Sequence, residues 1–151
     1  MTGLRVNPVP FVSVMRTTPG AAPSRSRAIE AIYATAHWLL AREHARDAAK
    51  VFRFMLQLAP RDERGWLGLG ECHERIDQPR VAAELYGAGS VIAAPPGRVS
   101  VRCLIARART MAKLGRSGDV EWTLNAAERA AAEQADEQLV DFVAAERRRL
   151  S

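Results

Sequence analysis

Residue types that commonly do chemistry are sparse in this chain, and their arrangements fail the spacing tests that chemistry imposes. His37 and His44 lie seven positions apart, on one face of a helix as paired metal ligands would be, but no third ligand stands at a suitable distance. His73, beside Cys72, projects in a different direction. Cys72 and Cys103 are the only cysteines, and with no CxxC or Cys/His ligand pattern they read as reduced thiols rather than a disulfide framework or a zinc site. Tyr86-Gly87-Ala88-Gly89 contains a GxG, yet a phosphate loop needs that motif between a strand and a helix. Here it falls inside a helical stretch, where glycines serve close packing. Glu71 and Glu74 are carboxylates one turn apart on a helix surface, and no Ser/His/Asp or Cys/His grouping can be assembled. The expectation is a protein that binds rather than catalyses, with no cofactor and no metal.

The elements that would position a binding surface are helices. The chain has 151 residues, of which 48% are hydrophobic and only 6% aromatic, enough for one domain with a core and too few for two. Its apolar residues recur at helical spacing between charges, and no β-branched alternation suggests a strand. Residues 1–25 are rich in proline and glycine (Pro8, Pro10, Pro19, Gly20, Pro23) and read as an extended or disordered arm. From Ser26 the pattern changes. Ala28, Ile32, Tyr33, Ala36, Leu39 and Leu40 mark a first helix, and Ala48 to Leu56 a second that stops at Pro60. The third runs from about Asp62 to Ile76, and the fourth opens on Pro79 in a first-turn position. After the break at Pro95-Pro96-Gly97 come helices over Val101–Leu114, Asp119 to about Ala132, and about Asp136 to Leu150. Seven helices in antiparallel neighbours are predicted.

Internal repeats organise them. Trp66, Leu69, Gly70, Ala82, Tyr86, Gly89 and the Pro95 region fill the small and bulky slots of the 34-residue tetratricopeptide pattern (W…L-G…Y…A…F…A…P), with Asp77 where a turn glycine is usual. Ile32, Ala36, Ala48, Phe52 and Pro60 repeat those slots 34 residues earlier. A third copy fits after a four-residue insertion, with Leu104, Ala108, Met111, Gly115, Val120, Leu124 and Ala127. The resulting division is an arm at 1–25, three repeats within 26–135 (about 28–61, 62–95 and 98–133), and a C-terminal capping helix at 136–151. The fold class is all-α: tetratricopeptide-repeat helical hairpins in a right-handed superhelical stack. Ala82 sits where the paired helices cross, and Trp66 and Tyr86 fill the space between pairs. Truncation of Trp66 is expected to cost ~3–5 kcal/mol, as for a buried aromatic.

Such stacks curve, and the first helix of each pair lines a concave surface that can hold a peptide. In this register the inward positions are Glu30, Tyr33, His37 and Leu40 in repeat one, Arg64, Leu67, Glu71, Glu74 and Arg75 in repeat two, and Arg102, Ile105, Arg109 and Lys113 in repeat three. The groove is expected to run from aromatic and apolar to cationic, because residues 85–118 contain basic side chains and no acid. An acidic partner segment would suit that end.

The net charge is +5, but residues 1–27 hold four arginines and no acid, leaving 18 basic against 17 acidic side chains elsewhere. The predicted folded part is nearly neutral and lacks aromatics interleaved with its arginines, which disfavours nucleic acid. No apolar run approaches the ~18–20 residues that span a bilayer. A cytoplasmic chain with a protein or peptide partner is the expectation.

The segments Gly65-Trp66-Leu67-Gly68-Leu69-Gly70-Glu71-Cys72 and Ala82-Ala83-Glu84-Leu85-Tyr86-Gly87-Ala88-Gly89 resemble the LGLGxC…A…Y…GA stretch of the class II chaperones of type III secretion systems. Ala31-Ile32-Tyr33-Ala34-Thr35-Ala36 and Asp47-Ala48-Ala49-Lys50-Val51-Phe52 are similar to that family's first repeat, and Leu114-Gly115…Asp119…Leu124…Ala127-Glu128 to its third. The resemblance covers about residues 28–135. It implies a cytosolic bacterial chaperone that holds a secreted hydrophobic translocator, keeping it soluble and unassembled before export. It also implies a groove that takes an extended, Pro- and Leu-bearing segment, and first helices that often pair two copies into a homodimer. Tyr33 matches a groove tyrosine of the family, while Leu40 stands where a second aromatic is usual. This chain departs from the family in its basic charge, in a Pro-rich arm where the dimerising helix would be, and in the insertion before repeat three. The alternative reading is a general repeat adaptor or scaffold subunit of a secretion or signalling complex. The carboxylate-clamp type is excluded, since Tyr33, His37 and Gly68 occupy its Lys and Asn slots.

Overall fold

A computed structural model describes residues 24–151, so the arm expected at 1–25 lies almost wholly outside the described residues. Seven helices follow one another among them: α1 Arg25–Ala41, α2 Ala45–Leu58, α3 Glu63–Arg75, α4 Pro79–Ile92, α5 Val101–Lys113, α6 Ser117–Glu133 and α7 Glu137–Leu150. Ser24, Asp62, Ser100 and Asp136 each accept a backbone N–H in the first turn of the helix they precede, the standard N-cap bond. Pro79 opens α4, where its missing N–H costs nothing.

The repeat period is visible in the backbone. Glu43, Asp77 and Gly115 sit at φ of 64°, 60° and 70°, each just past the first helix of a pair. The N–H of the following residue then reaches back five positions: His44 to Leu39 O at 3.0 Å, Gln78 to His73 O at 2.8 Å, and Arg116 to Met111 O at 3.0 Å. This left-handed stop turns the chain sharply into the second helix. Asp77 thus fills the left-handed slot that glycine would favour.

Every helix packs against the next in the chain, and among the described residues the only other helix–helix contacts join α1 to α3, α3 to α5, and α5 to α7. The odd-numbered helices therefore form one inner layer and the even-numbered ones an outer layer whose members do not meet. One apolar cluster gathers around Phe52 and Met55 with Ile32, Ala36 and Cys72. A second surrounds Ile105, Leu124 and Val143. Between them, glycines let helices close up. A Cβ on Gly70 would lie 2.2 Å from the Tyr86 ring, and one on Gly68 2.2 Å from Phe52. Trp66 is only partly buried and its Nε1 donates to Pro60 O at 2.8 Å, so the aromatics that plug the stack are Phe52 and Tyr86, 1% and 3% exposed. Truncating Trp66 accordingly costs less than full burial would imply.

The C-terminal helix is fastened more firmly than a solvated cap. Arg147 donates to Glu121 at 2.6 Å, Asn125 at 2.6 Å and Glu128 at 2.6 Å, all on α6. Val143 is fully buried beneath it.

Candidate peptide-binding groove

The inner faces of α3 and α5, with one residue each from α4 (Tyr86) and α7 (Arg149), enclose a cleft of about 640 Å³ lined by Leu67, Glu71, Glu74, Arg75, Tyr86, Ala106, Arg109, Lys113 and Arg149. Six of the sequence-predicted groove residues, Leu67, Glu71, Glu74, Arg75, Arg109 and Lys113, meet here. Leu67 is its partly exposed apolar wall.

Glu74 organises the floor. Its Oε2 accepts the Tyr86 hydroxyl at 2.9 Å, and its Oε1 accepts Lys113 Nζ at 2.9 Å and faces Thr110 Oγ1 at 3.1 Å. Burial first, and then the adjacent Glu74 charge, hold the Tyr86 phenol far above its ordinary titration range, so it is a fixed donor. On the opposite wall Arg109 donates to Glu146 of α7 at 2.8 Å. That bond is the main reason the Glu146 carboxyl lies below its usual range, and Arg149 adds a second contact at 3.2 Å.

The cationic end expected from the sequence is neutralised. Arg102 pairs with Glu63 at 3.3 Å, Arg109 with Glu146 at 2.7 Å and Lys113 with Glu74 at 2.9 Å. The counter-charges come from α3 and α7, nearly forty residues away in sequence, which a local charge count cannot register. The cleft is of mixed charge with an apolar wall, and an acidic partner gains little there.

The remaining predicted residues lie elsewhere. Tyr33 sits beside His37, ring centroids 5.9 Å apart, and makes an edge-type contact with Phe52 at 6.3 Å. Arg64 covers the Tyr33 ring at 4.5 Å while bonding Glu30 at 2.7 Å and Asp62 at 2.7 Å. It is a strut between α1 and α3 rather than a free groove cation. Leu40 and Ile105 are 3% and 1% exposed and belong to the core. Leu40 follows Ala36 by one turn, and Ile105 lies one turn from Val101 and Ala108, so both share buried stripes. His37 is exposed, His44 precedes α2, and His73 is buried between Arg53 Nη2 at 3.1 Å and Gln78 Oε1 at 2.7 Å. The three histidines do not converge. Cys72 and Cys103 are fully buried and unbonded, and burial pushes each thiol up to about 11.

No protein-family model and no curated protein matches the sequence. Solved structures do match the fold. PcrH from Pseudomonas aeruginosa superposes with a TM-score of 0.68 at 25% identity, over 85% of this chain and 95% of that one. SycD, the type III secretion translocator chaperone of Yersinia enterocolitica, gives 0.66 at 26% identity, over 80% and 87%. The chain is thus similar, over most of its length, to type III secretion translocator chaperones. PcrH in complex with the chaperone binding region of PopB also matches, with a TM-score of 0.65 at 25% identity over 85% of this chain and 99% of that one.

Within this chaperone fold, sequence reasoning missed Tyr86, Ala106, Arg149 and Glu146 as parts of the groove. The repeat pattern marks Tyr86 as framework, and its hydroxyl also reaches the cleft floor at Glu74. Glu146 and Arg149 stand one turn apart on α7, but nothing local indicates that α7 folds against α5 rather than extending away.

Proposed function

We propose that the chain is a chaperone that binds an extended segment of a secreted, membrane-seeking translocator of a type III secretion system in the inner cleft, and keeps that client soluble and unassembled before export. The observation that carries this reading is the cleft on the inner helix layer, in a fold shared over most of both chains with PcrH bound to the chaperone binding region of PopB. The work is done by mass action without a nucleotide: a client held by its chaperone is withdrawn from aggregation and premature insertion. Leu67, which lines the cleft together with Tyr86 and Ala106, supplies the apolar anchor. Glu71, Arg75, Lys113 and Arg149 orient the segment and select its sequence. Tyr33 and His37 extend the surface toward α1. The setting is the bacterial cytoplasm, and no described helix is long and apolar enough to cross a membrane.

The test is co-expression with a hydrophobic secreted translocator from the same organism. A soluble complex that co-purifies is the expected result, with Leu67→Asp releasing the client to the insoluble fraction while the chaperone itself stays folded. A client equally insoluble with and without the chaperone overturns the reading.

A further inference from the structure

A second cleft, of about 620 Å³, opens between α4, α5 and the turn that joins α5 to α6, and shares no lining residue with the inner one. Arg80, Glu84, Arg107 and Arg116 surround it, over an apolar floor that includes Met111 and Leu114. Arg107 and the groove residue Arg109 are two positions apart on α5, which turns them about 200° from each other. The two clefts therefore lie on different sides of that helix.

Arg107 is the unusual group. In the register that aligns Ala36, Gly70 and Ala108, its slot holds Thr35 in the first repeat and the buried Leu69 in the second. A guanidinium thus occupies a position that neither of the other repeats gives to a charged side chain. Its stem lies against Gly87 of α4, where even a Cβ would stand in ordinary contact at 3.6 Å from its Nε. That Nε–H is enclosed and meets no acceptor among the described residues, a costly state for a charged donor. Arg116 is paired with Asp119 at 2.6 Å, but among the described residues neither Arg80 nor Arg107 has an ion pair. The undescribed residues cannot supply one from a side chain, because positions 1–23 contain no Asp or Glu.

Beside Arg107, with the guanidinium 5.7 Å from its ring centroid, stands Trp122. It is 60% exposed. Aligning Ala48, Ala82 and Val120 puts Lys50 and Glu84 in the corresponding slots of the other repeats, so the framework has no need of an indole there. Trp and Arg side by side are the residue types that dominate binding energy at protein interfaces.

We propose that this outer cleft docks an acidic segment of a protein partner, its carboxylates meeting Arg80 and Arg107 and an adjoining apolar side chain covering Trp122. Charge complementarity fixes the occupant: two cations unpaired among the described residues, Arg80 on α4 and Arg107 on the side of α5 turned away from the groove, and one uncovered aromatic on α6, none of them part of the inner cleft. The site operates whatever fills the inner groove, so the chaperone can hold two protein segments at once.

The probe is a short N-acetylated peptide of alternating glutamate and leucine, titrated into the full chain by calorimetry with Trp emission followed in parallel. Binding with a change in emission that is lost in Trp122→Gln is expected. Arg107→Ala and, separately, the exposed Arg80→Glu should each weaken it about tenfold or more, while the groove variant Leu67→Asp binds as the parent does. The proposal is overturned if either arginine variant binds within about twofold of the parent with its helical circular dichroism intact. It is also overturned if a lysine–leucine peptide binds equally well, if Leu67→Asp abolishes binding, or if oligothymidylate produces the emission change and the peptide does not. A dimer that dissociates on Arg107→Ala, without peptide binding by the parent, would instead assign the cleft to a second copy of the chain.

Discussion

Replacing Glu74 by alanine tests whether the groove floor is also the joint between the two apolar clusters. The carboxylate accepts Tyr86 at 2.9 Å and Lys113 at 2.9 Å, and faces Thr110 at 3.1 Å. Tyr86 is 3% exposed, so its hydroxyl would be stranded, and a bond from a buried donor to a charged acceptor is worth about 1.5–3 kcal/mol. Thr110 loses little, because its hydroxyl can donate to Ala106 O at 3.0 Å instead. The Lys113 side chain is 67% exposed, which limits that pair to ~1 kcal/mol at most. Glu74→Ala should therefore destabilise the chain by about 2–4 kcal/mol, lowering the melting temperature by roughly 5–15 °C for a domain of this size. Glu74→Gln retains an acceptor for the phenol and should fall between. Thermal and urea unfolding followed by circular dichroism give the values, and a cycle with Tyr86→Phe isolates the bond itself. A Glu74→Ala protein within about 0.5 kcal/mol of the parent, or a coupling energy near zero with Tyr86→Phe, refutes the reasoning.

Gly68→Ala forces a Cβ to within 2.2 Å of the Phe52 ring and should cost ~1–3 kcal/mol by urea unfolding. Glu43→Gly relieves an exposed side chain held at φ 64°; the left-handed penalty of ~1–2 kcal/mol is partly offset by the extra freedom glycine gains when unfolded, so a net gain of about 1 kcal/mol should appear. Glu146 has its carboxyl held low chiefly by the Arg109 hydrogen bond. Its contribution is thus full above the ordinary carboxylate range and is lost as pH falls through the lowered folded value. Acid titration of stability should be measurably flatter in Glu146→Gln than in the parent.

The helices were legible because their signals are local: Pro60 stops α2, Pro79 opens α4, and Asp77 takes the left-handed slot at the period the repeat demands. The inner cleft was legible in part. Leu67, Glu71, Glu74, Arg109 and Lys113 followed from helical spacing once the register was fixed. Leu40 and Ile105 did not, although Ile29, Ile32, Ala36 and Leu40 already trace a continuous buried stripe that crosses the groove positions at Leu40. The neutralisation of the cations was beyond a linear reading, since Glu63, Glu74 and Glu146 reach them only after the stack has formed. Arg107 was visible merely as one more basic residue, because the unusual feature is the slot it fills, and that slot is defined by Leu69 in another repeat.

Contacts confined to the next helix and the next but one have a consequence for how the protein is made. Each hairpin finds all its partners within the two or three helices just synthesised, so nothing emerging from the ribosome must wait for a distant segment. Assembly can keep pace with translation, one hairpin at a time. Pulled from either end, the same ladder would give way rung by rung, leaving the far hairpins in place.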